Sequence, residues 1–183
     1  TSLLEAQIQM LDFQAARYLK DNEIPGSTGN DHPTSVPTGV FPTSDGHINI
    51  ASAGGIIYER MCKAMNAENL VCDERFKTSD LRLKNRDLMN KEISNITSKK
   101  TSKYWIKLLN ESGCPAGPIY TVDKVFSDPQ VRHRQMEIRM DHPLAGKEGM
   151  KMIGNPISYS ETPVSYRRPP PLLGEHSREI LKE

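Results

Sequence analysis

The chain has 183 residues, 36% of them hydrophobic, and its 24 basic and 23 acidic side chains leave a formal net charge of +1. That length suits one domain with a full core or two small lobes; no apolar run approaches the roughly 20 residues of a membrane span, and the charge balance offers no electrostatic footprint for nucleic acid or an anionic membrane. Cys62, Cys72 and Cys114 are odd in number and too far apart for a CxxC pair, which predicts free thiols in a reducing compartment and, without a signal-peptide pattern, a cytoplasmic protein.

Ser2-Leu3-Leu4-Glu5 is a Ser-x-x-Glu capping box, and behind it Leu4, Ile8, Leu11, Ala15 and Leu19 form one stripe of a long helix. A chain that starts on a helix cap rather than on Met reads as a fragment or a processed product. Asn22 to Pro37 is turn chemistry, with Pro25-Gly26, Gly29-Asn30, His32-Pro33 and Pro37 forbidding a continued helix. Gly39-Val40-Phe41 and His47-Ile48-Asn49-Ile50 then predict strands joined around Ser44-Asp45-Gly46. Helices follow over Gly54 to Ala67, Ser79 to Ile96 and Thr101 to Ser112, the last stopped by Gly113 with Pro115 just beyond.

Ala116 to Thr121 predicts a short strand, followed by a helix with Val122, Val125 and Phe126 inward. Asp128-Pro129 starts another helical turn, Asp as N-cap and Pro at the first position. Met136 to Met140 alternates apolar and polar as a half-buried strand does, and the turn from His142 to Gly146 leads to a second strand around Met150 to Ile157. Arg167-Arg168-Pro169-Pro170-Pro171 is a polyproline-II tether before a short amphipathic helix from Glu175 through Leu181. Asp-His-Pro occurs at residues 31 and 141, which is too little to make an internal repeat. The fold class expected is α+β.

The residues by themselves offer little chemistry. The five histidines are scattered, and no two of them sit at i, i+3 or i+4 with a carboxylate as zinc sites require, so no metal is expected. Cys114, between a helix-ending glycine and a proline, has no base nearby in sequence and reads as a small buried residue rather than a nucleophile. No P-loop and no Gly-x-Gly-x-x-Gly follows a strand; Gly54-Gly55 reads as a plain helix entry, and Tyr104 and Trp105 as core.

Three separated motifs in order carry a resemblance. They are Gly29-Asn30-x-x-Pro33 with Gly39-Val40-Phe41-x-Thr43-x-Asp45-Gly46, then Gly117-Pro118-Ile119-x-Thr121-Val122-Asp123-x-Val125-Phe126-x-Asp128-Pro129-Gln130-Val131, and finally Arg168-Pro169-Pro170-Pro171-Leu172-Leu173-Gly174-Glu175-His176. The chain resembles the family III CoA-transferases, which include formyl-CoA, carnitine and bile-acid CoA-transferases and the α-methylacyl-CoA racemases. Met140-Asp141-His142-Pro143 and the Pro-Pro-Pro-Leu-Leu-Gly run look most like transferases that use dicarboxylic acyl-CoAs such as succinyl-CoA.

The resemblance implies a protein longer than this chain, with a Rossmann-like large domain, a smaller inserted α+β domain and two interlocked protomers. On that reading residues 1–35 are a helix of the large domain with its connecting loop, residues 36–131 the small domain, and residues 132–183 the segment returning to the large domain. The substrates implied are an acyl-CoA thioester and a carboxylic acid, with no covalently bound cofactor. Catalysis in the family's transferases runs through an aspartate that attacks the acyl-CoA and forms a mixed anhydride, and no Asp here lies in the matching motif. The fragment alone is therefore expected to be inactive. In the formyl-CoA transferases the region matching the first loop is a glycine-rich cover over the active site. This makes Gly26, Ser27, Thr28, Gly29, Asn30 and His32 the candidate substrate-loop residues, against the alternative of a plain interdomain linker. A racemase fragment and a non-catalytic folded module are the competing readings of the whole.

Overall fold

The computed structural model describes residues 1–182, which divide into two compact units, residues 1–119 and residues 120–182. The first unit opens with Leu3–Gln9 (α1) and Phe13–Asp21 (α2). The capping box at Ser2 forms as expected, Glu5 N–H donating to Ser2 Oγ at 3.2 Å and Ser2 N–H to the Glu5 carboxylate at 2.7 Å. The single long helix expected from the apolar stripe does not form, because the chain turns at Asp12, whose φ is +48°. Neither half contains a buried residue. A helix of that length draws most of its stability from packing, and here the stripe has nothing packed on it to hold the two halves in line.

Thr38–Thr43 (β1) and Gly46–Ala51 (β2) pair antiparallel across the two-residue turn Ser44-Asp45, with Thr43 opposite Gly46, Phe41 opposite Ile48 and Gly39 opposite Ile50. Side chains alternate along a strand, so Phe41, Ile48 and Ile50 share one face, and all three are fully buried. Ala116–Pro118 (β3) adds to the other edge of β2, which makes the order β1-β2-β3. The predicted strand ends at Pro118 rather than Thr121.

Against that face pack helices from Gly55–Ala64 (α3), Asn69–Cys72 (α4), Ser79–Lys84 (α5), Arg86–Thr97 (α6) and Ser102–Glu111 (α7). Their buried positions follow the helical period: Tyr58, Met61 and Cys62 on α3, Met89, Ile93 and Thr97 on α6, Trp105 and Leu109 on α7. The two aromatic polar groups carried inside are paired, Trp105 Nε1 donating to Thr97 O at 2.7 Å and Tyr58 OH to Leu70 O at 2.9 Å. The helix expected over Ser79 to Ile96 is divided at Asn85, whose side-chain amide donates to Arg75 O and Leu81 O, both at 3.0 Å. Asn competes in this way with the backbone ladder. The short α4 has too few residues to show a period in sequence.

The second unit contains Val122–Ser127 (α8), Pro129–His133 (α9), the antiparallel pair Glu137–Met140 (β4) and Met150–Ile153 (β5), and Ser177–Ile180 (α10). Asp128 caps α9 as expected, accepting from Gln130 N–H at 2.8 Å and Val131 N–H at 3.3 Å with Pro129 behind it. The second strand ends at Ile153, after which one last in-register bond runs from Gly154 N–H to Met136 O at 2.9 Å, and Pro156 cannot donate to a ladder. The polyproline stretch is held at Pro170, whose carbonyl lies 3.1 Å from His142 Nε2. Among the described residues no helix is long and apolar enough to cross a membrane. The architecture is α+β.

Candidate functional site

The loop between α2 and β1 has an open tip and a fixed foot. In the tip, Gly26, Ser27, Gly29 and Asn30 are exposed and Thr28 is half-buried. Thr28 Oγ1 donates to Asp31 O at 2.8 Å while Asp31 N–H donates to Thr28 O at 3.2 Å, closing a turn. Gly29 sits inside that turn at φ +61°, where glycine carries no steric penalty. A Cβ at Gly26 or Gly29 would meet nothing within 4 Å, so nothing in the described chain covers the tip.

The foot is held at several points. His32 N–H donates to Thr38 O at 2.9 Å, its Nδ1 accepts from Thr34 N–H at 3.2 Å and Ser35 N–H at 3.1 Å, and its ring stacks on Phe13 at 5.4 Å and 5°. The Asp31 carboxylate accepts from Asn90 Nδ2 at 3.3 Å to each oxygen. It lies so close over Gly39 that a Cβ there would collide with it unless the carboxylate shifted. Arg86, one turn before Asn90 on α6, donates to Pro33 O at 2.7 Å. Arg82 is buried, 3% exposed, and its guanidinium donates to Val36 O at 3.1 Å, Phe76 O at 3.0 Å and Ala53 O at 3.1 Å while lying 4.3 Å over the Tyr58 ring. Arg can do this because its planar fork offers five fixed donors and sits well on an aromatic face.

Thus the six loop positions expected from the sequence fall into two groups: Gly26 to Asn30 on the open tip, and His32 on the foot. The residues that fix the foot, Phe13, Asp31, Gly39, Arg82, Arg86 and Asn90, were not expected. Asp31 and Gly39 stand inside the first motif, and Arg86 and Asn90 share a helix face at i, i+4 spacing, but spacing along the chain does not say that the two sets meet.

Chemically the loop offers hydroxyls, amides, backbone N–H groups and one imidazole. That set can orient and shield a polar ligand, and it contains neither a thiol nor a free carboxylate to attack one. The cysteines lie elsewhere: burial pushes the Cys62 thiol up to about 11 and also raises that of Cys114, whose Sγ is 3.4 Å from Ile57 O. Raised thiols are poor nucleophiles. No cluster of three or more His, Cys, Asp or Glu able to hold a metal ion occurs among the described residues. Beside the tip, Ile8, Leu11, Tyr18 and Leu19 face Ile24 and Pro25 across an apolar groove of about 600 Å³.

A family model for CoA-transferase family III matches residues 1–177. Succinyl-CoA:glutarate CoA-transferase of Homo sapiens is 35% identical over 182 residues, which is 100% of this chain and 41% of that protein. Succinate--glutarate CoA-transferase of Agrobacterium fabrum is 32% identical over 184 residues, 100% of this chain and 45% of that protein. A crystal structure of a CAIB/BAIF family protein from Brucella suis superposes with a TM-score of 0.74 at 30% identity, over 95% of this chain and 44% of that one. The chain thus spans less than half the length of the relatives it matches, and it belongs to CoA-transferase family III.

Proposed function

We propose that this chain is the C-terminal part of a CoA-transferase that moves CoA from succinyl-CoA to a second dicarboxylic acid, with the nucleophilic aspartate on a part of the protein outside these 183 residues. What carries the reading is similarity along the whole chain to transferases named for succinyl-CoA, succinate and glutarate, together with the absence of an Asp in the motif position that the family's nucleophile occupies. Both named relatives are transferases, which favours transfer over racemisation.

The chemistry follows from the nucleophile. The aspartate carboxylate attacks the succinyl thioester, the C–S bond breaks, and CoA leaves as thiolate, so that aspartate and succinate are joined in a mixed anhydride. The thiolate then attacks the aspartyl carbonyl and succinate departs. The acceptor carboxylate repeats the sequence in reverse, so one difficult acyl exchange becomes several easier ones. An anhydride must be kept from water, and the open tip from Gly26 to Asn30, hinged on its fixed foot, is the element of this chain suited to cover it. The same proposal places residues 1–35 and 132–183 with the large domain, residues 36–131 in the small one, and two protomers together in a cytoplasmic dimer.

The test is the intact protein given succinyl-CoA and glutarate labelled with ¹⁸O in its carboxylates. Glutaryl-CoA must form, and label must pass through the enzyme into released succinate. Turnover without label in succinate would rule out the anhydride route. No turnover with glutarate or any related diacid would rule out the function.

A further inference from the structure

The tripeptide Asp-His-Pro, which the sequence shows twice without apparent meaning, builds the same local structure both times. His32 Nδ1 accepts the N–H of Thr34 two residues on at 3.2 Å, and His142 Nδ1 accepts the N–H of Leu144 two residues on at 3.1 Å. A backbone N–H can only donate, so each Nδ1 must present a lone pair and each ring carries its proton on Nε2. Both turns thereby hold a neutral imidazole with its Nε2–H aimed away from its own backbone.

The two differ in what that donor meets. His142 is 8% exposed and its Nε2–H donates to Pro170 O at 3.1 Å, which satisfies the ring inside the second unit. His32 is half-buried, fixed by two N–H groups and by the parallel Phe13 ring, and its Nε2 has no hydrogen-bond partner among the described residues. A donor fixed in tautomer and orientation, left open beside an uncovered tip of hydroxyls and amides, is preorganised for an oxygen acceptor that comes and goes.

We propose that His32 Nε2–H orients the carboxylate of the incoming acid, and so is a specificity-determining residue of the transfer; this rests on the reaction assigned in the preceding subsection. The substitutions that separate its two nitrogens are available. Asn at position 32 can accept the N–H two residues on, as Asx turns do, but has no group at the Nε2 position. Gln reaches that position with an N–H donor and gives up the turn.

In the intact protein, His32→Asn should raise the KM for glutarate about tenfold to a hundredfold, the effect of one lost hydrogen bond to a charged oxygen, with the KM for succinyl-CoA changed less than about twofold; His32→Gln should recover part of the loss. In ¹⁵N-histidine spectra of the wild type, glutarate should shift the Nε2 resonance of His32 and leave Nδ1 in its acceptor state. An unchanged glutarate KM in His32→Asn overturns the proposal, as does a parallel rise for both substrates or equal loss of stability and activity in both variants. An Nε2 resonance unmoved by glutarate overturns it regardless of activity. A wild type that binds glutarate at His32 but transfers no CoA would instead sink the reaction assignment and leave the contact standing.

Discussion

Two helical stretches of the first unit carry apolar residues at the same spacing and meet opposite surroundings. On α6, Met89 and Ile93 are 0% exposed, closed in the core beside β1. On α1 and α2, Leu4 is 69% exposed, Ile8 and Leu11 53%, and Leu19 80%. Periodicity therefore says which face of a helix needs cover and is silent on what supplies it. For α6 the cover lies within this unit. For α1 and α2 this unit supplies none, and each large aliphatic left in water forgoes roughly 1.5–3 kcal/mol of burial.

The widest expected gap between covered and uncovered regions is in activity. The purified 183-residue chain should show no CoA transfer between succinyl-CoA and any diacid, while the intact protein turns over. Measurable turnover by the short chain would place the nucleophile among these residues after all.

Stability should follow the same division. Ile93→Ala should cost about 2–5 kcal/mol in urea unfolding of this chain, because it leaves a cavity in a closed core, whereas Leu19→Ala should change it by less than about 0.5 kcal/mol. In the intact protein Leu19→Ala should become costly. Equal costs in the short chain would mean that the stripe is already packed there, most simply against a second copy, which sedimentation would detect.

Arg82 tests a polar part of the same core. Arg82→Leu removes the donors to three backbone carbonyls, those of Val36, Phe76 and Ala53, and should cost about 3 kcal/mol; the foot of the loop at Val36 should then be cleaved sooner in limited proteolysis. Gly39→Ala should cost about 1–3 kcal/mol by pushing the Asp31 carboxylate off its seat. Asp31→Ala in the same chain should return part of that loss, a coupling read from a double-mutant cycle. Additive losses would show that the two residues do not press on each other.

The smallest effect expected is in pH dependence. Asp45, in the β1–β2 turn, accepts from Ser102 N–H at 2.7 Å, Ser102 Oγ at 2.9 Å and Thr43 Oγ1 at 3.0 Å, and these bonds hold its carboxyl below the ordinary value of 3.8. Its folded value lies below its unfolded one, so its contribution is present above the unfolded value and fades as pH falls through the folded one. Asp45→Asn should flatten the acid limb of the stability curve and leave the neutral region nearly unchanged. A wild-type acid limb in that variant would assign acid sensitivity to other carboxylates.

Much of both units was legible because the signals are local. The Ser44-Asp45 turn, the alternation that buries Phe41, Ile48 and Ile50, the Asp128 cap and the stop at Gly113 each depend on a few neighbouring residues, and the structure has them where the sequence places them. The errors lie where distant contacts decide. The first helix breaks at Asp12 for want of packing, and Asn85 divides a helix by reaching the Arg75 carbonyl from across a turn.

The loop divides along the same line. Its composition, glycines and small polar residues between prolines, determined by itself that an irregular, solvated segment joins α2 to β1. Only the tertiary structure decided that Asp31 seats on Gly39 under Asn90, that Arg82 is buried rather than solvated, and that the two Asp-His-Pro turns differ in what their outer nitrogens meet. A residue's own chemistry sets which hydrogen bonds and burial it requires, and which partner meets the requirement depends on segments that folding brings together from 28 residues away for His142 and Pro170 and 59 for Asp31 and Asn90.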